Sequence, residues 1–426
     1  MISYRWLDRE QRGDTVRIPR LLYVGEFPPS NHHGGAILLK RLLGKHPADC
    51  LTVITSNLGM KPSQATDLFE CRHIVFPIFG GTRYLWLGML MGAANWLILV
   101  LVALRVILVI KRQRVEAVIT IVQGRYYLAA ALAAWVTATP HITLVHDNFV
   151  CGNAGSTILV KRVLRGLTAT ILRRAAHIYA VSPEMQQLVS RECGMKSEIQ
   201  LPSTTRPARQ AEGQVQITRS GSPVILFAGA ISYTVIDCLD LLANMIGNGQ
   251  LKEYGMSDAK LHLCATIADA EMRKRGWNHP GIVVRGWVPQ SELPRELSRA
   301  DILFLPYSFL ESSRGAVETA FPSKTADYLA AGKPVLVFGP KYSSLVRYAS
   351  EQGFAEIVDE FSSAALARGI QRIVFSPSHR EALATRALEV FSANHDIKCE
   401  QRKFYIALGQ IICADTQQTT SEIDVA

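Results

Sequence analysis

Short apolar runs recur along the chain, each followed by a stretch of helical length. LLYVG at 21–25, LTVITS at 51–56, AVITIV at 117–122, ITLVH at 142–146 and HIYAVS at 177–182 form a first series. PVILFAG at 223–229, LHLCAT at 261–266, GIVVRG at 281–286, DILFLP at 301–306 and PVLVFG at 334–339 form a second. The runs are continuously apolar and do not alternate, as strands of a parallel sheet covered on both faces require. Segments between them, such as 183–191 and 290–299, have helical length. The rhythm breaks over 201–222, LPSTTRPARQAEGQVQITRSGS, which has no sustained apolar period. The pattern therefore predicts an α/β chain of two doubly wound, Rossmann-like domains facing across a cleft, and not a barrel. The expected boundaries are an N-terminal domain over 18–205, a linker over 206–220, a C-terminal domain over 221–392, and a helix with a polar tail over 393–426.

One segment departs from this rhythm. From Tyr84 to Leu104 no residue is charged, VILVI continues the run after Arg105, and Lys111, Arg112 and Arg114 close it. That length allows three readings: buried helices of a soluble domain, a helix lying on a membrane surface, or a true span. A second helix-like stretch, VKRVLRGLTATILRRAAH, sets Val160, Val163, Leu164, Leu167 and Ile171 beside Lys161, Arg162, Arg165, Arg173 and Arg174. Its stripe is expected to pack on the first domain, with a membrane or anionic acceptor as the alternative.

Composition narrows the class. The 426 residues suffice for two or three domains, and 48% hydrophobic against 19% charged residues excludes a disordered chain. The eight cysteines are scattered without a C-x-x-C pair, so neither a disulfide framework nor a zinc ribbon is indicated. No apolar signal core opens the sequence, and the folded body is expected in the cytoplasm, with association at the inner face of the cell membrane left open. The net charge of +10 by itself fits RNA, phosphorylated small molecules or an anionic membrane surface equally. No nucleic-acid module is present, so no nucleic-acid partner is expected. No convincing metal-ligand spacing is found, and no metal or cofactor is expected.

Three constellations can carry chemistry. FPPSNHHGG, ending at Gly35, follows the first strand and opens a helix whose N–H groups could meet a phosphate or sugar oxygen; an ordinary strand-to-helix turn is the alternative. His146-Asp147 ends a parallel strand, where ligands gather in open sheets, and an imidazole there can donate to a hydroxyl or exchange a proton; a structural histidine remains the other reading. FPSKTADYLAAGKPV places Pro322 at a helix start, Gly332 at its end, and Lys324, Asp327 and Tyr328 on one face. A carboxylate there can accept from a vicinal diol such as a ribose while the lysine balances diphosphate charge, unless the face is merely solvated. Trp287 and Arg285 precede it, fit to border a base and a phosphate or to serve packing and surface pairing.

With these motifs the sequence resembles the family 4-like glycosyltransferases, the retaining, nucleotide-sugar-dependent group with the GT-B fold. The likeness spans about Arg20 to Phe391. It rests on FPSKTADYLAAGKPVLVFG, FPPSNHHGG, LVHDN, RAAHIYAVSPEM, GWVPQSELPRELSRADILFLPY and the glycine of FAGAI, Gly229. The resemblance implies transfer of a hexose-type sugar from a UDP- or GDP-sugar to a saccharide or polyprenyl-diphosphate-linked acceptor. It implies His146 and Lys324 as catalytic residues, and Gly35, Gly229, Arg285, Trp287, Ser323, Lys324 and Asp327 as donor-binding ones. Asp327 stands where the family usually has a ribose-binding Glu, Thr319 stands at a second family Glu, and no basic residue follows Gly229. A nucleotide-sugar 2-epimerase and a non-enzymatic scaffold are the alternatives. Oligomeric state is not set by the sequence.

Overall fold

The computed structural model describes residues 18–30, 34–57, 70–78, 85–150, 158–206 and 222–423. Residues 31–33 of the glycine-rich turn, Cys151 and most of the expected linker lie outside them. The chain divides into two compact units, Met1–Gln200 with Lys398–Ala426, and Leu201–Ile397.

The first unit is built on β1 (Leu21–Val24), β2 (Leu51–Ser56), β3 (Arg72–Phe76), β4 (Ala117–Ile121), β5 (His141–Val145), β6 (His177–Ala180) and β7 (Glu198–Ile199). Its helices are α1 (Gly34–Leu43), α2 (Leu85–Gln113), α3 (Tyr126–Val136), α4 (Ile158–Arg174) and α5 (Pro183–Cys193). The sheet is parallel, in the order β3-β2-β1-β4-β5-β6-β7, with Leu21 of β1 registered against Leu51 on one side and Ala117 on the other. The order reverses between β1 and β4, the point at which loops part and leave a crevice at the carboxyl edge. Strands β1, β2, β4 and β5 are buried throughout, which is why their sequences are apolar without alternation. Local signals agree: Ser182 accepts from the Met185 N–H at the start of α5, Pro183 fills its first turn, and Gly194 ends it in the left-handed region.

The second unit holds β8 (Val224–Ala228), β9 (Lys260–Cys264), β10 (Ile282–Val284), β11 (Ile302–Pro306), β12 (Val335–Phe338) and β13 (Ala355–Val358). Its helices are α6 (Ile236–Gly247), α7 (Asp269–Lys274), α8 (Leu293–Ser298), α9 (Arg314–Val317), α10 (Lys324–Ala331), α11 (Ser344–Gln352), α12 (Ser363–Phe375) and α13 (Pro377–Asn394). The sheet is again parallel, ordered β10-β9-β8-β11-β12-β13, with its reversal between β8 and β11. Its core gathers Ile225, Phe227, Leu261, Leu263, Phe304 and Phe338 with the inner faces of α6 and α12. The last helix, α14 (Ile397–Ile423), goes with the first unit: Phe404 and Tyr405 are fully buried, and Phe404 lies 5.7 Å ring to ring from Tyr179 of β6.

The long apolar segment forms α2. One face, with Ile98, Leu99, Val102, Val106, Val109 and Ile110, is buried in a core shared with α3 and the sheet. The other is exposed. The α4 stripe needs correction: Thr168, Ala169, Ile171 and Leu172 are buried, whereas Val163 and Leu167 face solvent. Of the expected stripe Ile171 is buried and Leu164 half-buried, and the packed row runs on through Thr168, Ala169 and Leu172 in place of Val163 and Leu167.

Candidate functional site

In the second unit the site grows from the end of β8. The strand is central, flanked by β9 and β11, so its last residues meet solvent only at the carboxyl edge, beside the reversal. There the chain turns at Gly229, with φ +136°, a conformation that side chains other than hydrogen rarely adopt. Helix α10 packs its 324/327/328 face toward this turn. Tyr328 is fully buried and its hydroxyl oxygen accepts from the Ala228 N–H at 2.7 Å. One turn earlier, Lys324 runs beside the strand end: Nζ lies 3.9 Å from the centre of the Phe227 ring. It would lie 3.1 Å from a β-carbon placed on Gly229. The face is thus packed, not a solvated one. Burial pushes the Lys324 ammonium down to about 7, and no carboxylate among the described residues pairs with it.

Asp327 is half-buried, and its Oδ1 accepts from Gln290 Nε2 at 3.1 Å. Gln290 lies in the loop after β10, and with its partner 37 positions away no local spacing in the sequence marks the pair. The same loop carries Arg285 and Trp287. Both are exposed, Trp287 by 50%, and they follow the edge strand, two strands from β8. Ser323 precedes α10 in helical conformation and makes no side-chain cap, so the helix opens at Lys324, past Pro322. Thr319 is buried, its hydroxyl donating to the Gly315 carbonyl at 3.2 Å; it closes its own turn.

In the first unit, His146 directly follows β5. Its Nδ1 faces Asp147 Oδ1 at 3.2 Å, and Nε2 has no hydrogen-bond partner among the described residues. Burial opposes charge on this ring, but the Asp147 carboxylate outweighs it and raises the imidazole above its ordinary value. Nε2 points at the start of α1: a β-carbon on Gly35 would overlap it. Glycine is required there by contact, not by backbone angle.

Beside the β1–β4 reversal lies a cavity of about 190 Å³ lined by Glu26, Ile78, Asn95, Ile98, Leu99, Arg125 and Tyr126. Glu26 Oε1 accepts from the Arg125 N–H at 2.5 Å, and its carboxylate fills space that Gly124, at φ +68°, leaves open. Burial raises the Glu26 carboxyl, with Arg125 partly offsetting. Tyr126 is 1% exposed, yet its hydroxyl has no partner among the described residues. A carboxylate, a phenol and an aliphatic wall suit a polyhydroxylated ligand. No motif marks these residues. Among the described residues no three His, Cys, Asp or Glu side chains group as metal ligands would.

Known structures with this architecture decide the fold. The complex of Anabaena HepE with UDP and glucose superposes with a TM-score of 0.64 at 12% identity, over 92% of this chain and 99% of that one. Sucrose-phosphate synthase from Thermosynechococcus elongatus gives 0.64 at 13%, over 93% and 100%. The chain has the GT-B fold. Within it, residues 222–376 match the family model described as Glycosyl transferases group 1, a stretch that contains Gly229, Lys324 and Asp327. A curated relative, 2-deoxystreptamine glucosyltransferase of Streptomyces kanamyceticus, is 24% identical over 233 residues, which is 50% of this chain. The chain spans about half of that relative's length, 56%.

Proposed function

We propose that this GT-B protein is a retaining, family 4-like glycosyltransferase. It moves a hexose-type sugar from a UDP- or GDP-sugar to a saccharide or lipid-linked saccharide acceptor. The observation that carries the reading is Lys324: a largely buried ammonium, set over an aromatic ring at the end of β8, with no carboxylate partner among the described residues. Such a cation is complementary to an anion that arrives with the substrate.

In this reading the donor's diphosphate meets Lys324 beside Gly229, with Ser323 at the head of α10 as a further donor, and Asp327 accepts from the ribose hydroxyls. Arg285 and Trp287 flank the nucleotide from the neighbouring loop. As the bond from the anomeric carbon to the phosphate oxygen breaks, charge grows on the diphosphate and Lys324 stabilises it. The acceptor oxygen bonds the anomeric carbon from the face the diphosphate leaves, and its proton passes to a diphosphate oxygen. Configuration is thereby kept without an enzymic nucleophile. His146, oriented by Asp147, donates from Nε2 to a hydroxyl of the transferred sugar, with Gly35 giving it room. Glu26 and Tyr126 take acceptor hydroxyls. HepE, solved with UDP and glucose, and the Streptomyces glucosyltransferase favour a UDP-linked hexose.

The test is a thermal-shift screen of UDP- and GDP-sugars, followed by product analysis with saccharide acceptors. A donor at about 100 times its Kd stabilises by about 2.7 kcal/mol. Stabilisation by one donor class, lost in Lys324→Met, and a product of unchanged anomeric configuration are expected. No shift with any nucleotide sugar would overturn the reading, and conversion of the donor sugar without acceptor would replace it with an epimerase.

A further inference from the structure

Three helices on one side of the first unit share an unusual surface. The exposed face of α2 presents Trp96, Leu97, Val100, Leu101 and Leu104, positions that recur at helical spacing and are 46–62% exposed. Helix α3 packs between α2 and α4 and adds Leu132 and Val136; α4 adds Val163 and Leu167. Isolated exposed apolar residues are ordinary, but a run continued over neighbouring helices is a contact surface.

The charges carried by these three helices have one sign. α2, α3 and α4 contain no Asp or Glu at all, while Arg105, Lys111, Arg112, Lys161, Arg162, Arg165, Arg173 and Arg174 lie on them. Of these, Arg165 is paired with Glu192 of α5 and Arg174 stacks on Trp135, while Lys111 and Arg112 are exposed. An apolar strip on helices that carry cations and no acidic residue of their own is complementary to lipid carrying negative headgroups. α2 itself is long enough to cross a bilayer, with a mean hydropathy of 2.2 in its most apolar stretch, of which 39% is buried. Its buried face is committed to α3 and the sheet, so it cannot stand free as a span.

We infer that the α2–α3–α4 face seats the protein on an anionic membrane surface, with α2 lying in the interface plane. The surface chosen is the cytoplasmic leaflet, whose anionic lipids match the basic rim. Helix α2 also supplies Asn95, Ile98 and Leu99 to the cavity that holds Glu26. Docking through its outer face therefore brings that cavity close to the headgroups, where a lipid-linked saccharide presents its sugar.

The test is co-sedimentation of the full chain with vesicles of phosphatidylcholine alone and with one quarter phosphatidylglycerol. Binding to the anionic vesicles, reduced at least tenfold by 0.5 M salt, is expected. Leu97→Gln/Leu101→Gln/Leu104→Gln should weaken it tenfold or more while leaving UDP-induced thermal stabilisation unchanged. Lys111→Glu/Arg112→Glu should weaken binding to anionic vesicles only. Bromine-labelled acyl chains should quench Trp96 emission, and Trp96→Phe should remove that part of the signal. Absence of binding to anionic vesicles, or equal binding by the triple variant, would overturn the inference. So would a wild-type dimer in lipid-free solution that the triple variant makes monomeric, which would assign the face to a second copy. The UDP readout separates this outcome from failure of the transferase reading.

Discussion

Lys324 and Gly229 share one space at the end of β8: a β-carbon at 229 would stand 3.1 Å from the lysine Nζ and 3.2 Å from its Cε. The backbone angle of +136° adds strain for any side chain. Gly229→Ala should cost about 1–3 kcal/mol in urea denaturation and weaken UDP at least tenfold by displacing the ammonium. A folded variant that binds UDP as the parent does would separate this glycine from the diphosphate.

The low proton affinity of Lys324 makes a prediction about pH. Its folded value of about 7 lies below the roughly 10.4 of an unfolded lysine. Between those values the unfolded chain holds a proton that the folded one has released, so folding stability rises with pH across that window. Below it the full penalty of a buried charge applies. Lys324→Met should therefore stabilise the ligand-free protein at pH 6, on the order of 2 kcal/mol once partial solvent screening is allowed for. The gain should shrink as pH climbs from 7 to 10. Binding of a UDP-sugar to the parent at pH 8 should take up close to one proton, read by calorimetry in buffers of different ionisation enthalpy. The Met variant should take up none.

Asp327 is held by Gln290 before any ligand is present, so the two should act together on the nucleoside. Asp327→Asn should lower UDP affinity about tenfold and leave inorganic pyrophosphate almost unaffected, because only the former carries a diol. Gln290→Ala should show a smaller loss of the same kind. Equal losses for UDP and pyrophosphate would place Asp327 with the diphosphate instead.

How far the sequence reveals this follows from where each residue sits. Central strands such as LTVITS and ILFLP are buried on both faces and announce themselves as apolar runs. The edge strands β3, β7 and β13 do not. RHIVF is half-exposed, EI is two residues long, and AEIV includes Glu356, which is buried only because Arg372 and His379 pair with it. Helical spacing puts Lys324, Asp327 and Tyr328 on one face, but what that face meets is non-local. Tyr328 reaches Ala228 across 100 residues, and the Glu26 cavity draws on segments near 26, 95 and 125. The stripe of α4 is only partly legible for a related reason, since apolar spacing does not say that Val163 and Leu167 turn outward while Leu164 and Ile171 pack.

Gly35 offers a test of the first unit alone. One of its α-hydrogens faces His146 Nε2 so closely that a β-carbon in its place overlaps the ring, and Asp147 restrains the ring from the other side through Nδ1. In Gly35→Ala the imidazole must turn or α1 must retreat, shifting Nε2 by the better part of an ångström. A misplacement of that size costs about 100-fold when the group acts on the reacting sugar, with about 1–3 kcal/mol lost to overpacking. Lys324 and Asp327, the residues proposed to hold UDP, belong to the other unit, so Kd for UDP should stay within about twofold while kcat falls. His146→Asn should reproduce the fall in kcat without the stability loss. Turnover preserved in a folded Gly35→Ala protein would remove His146 from the transfer step and return it to a structural role at the end of β5.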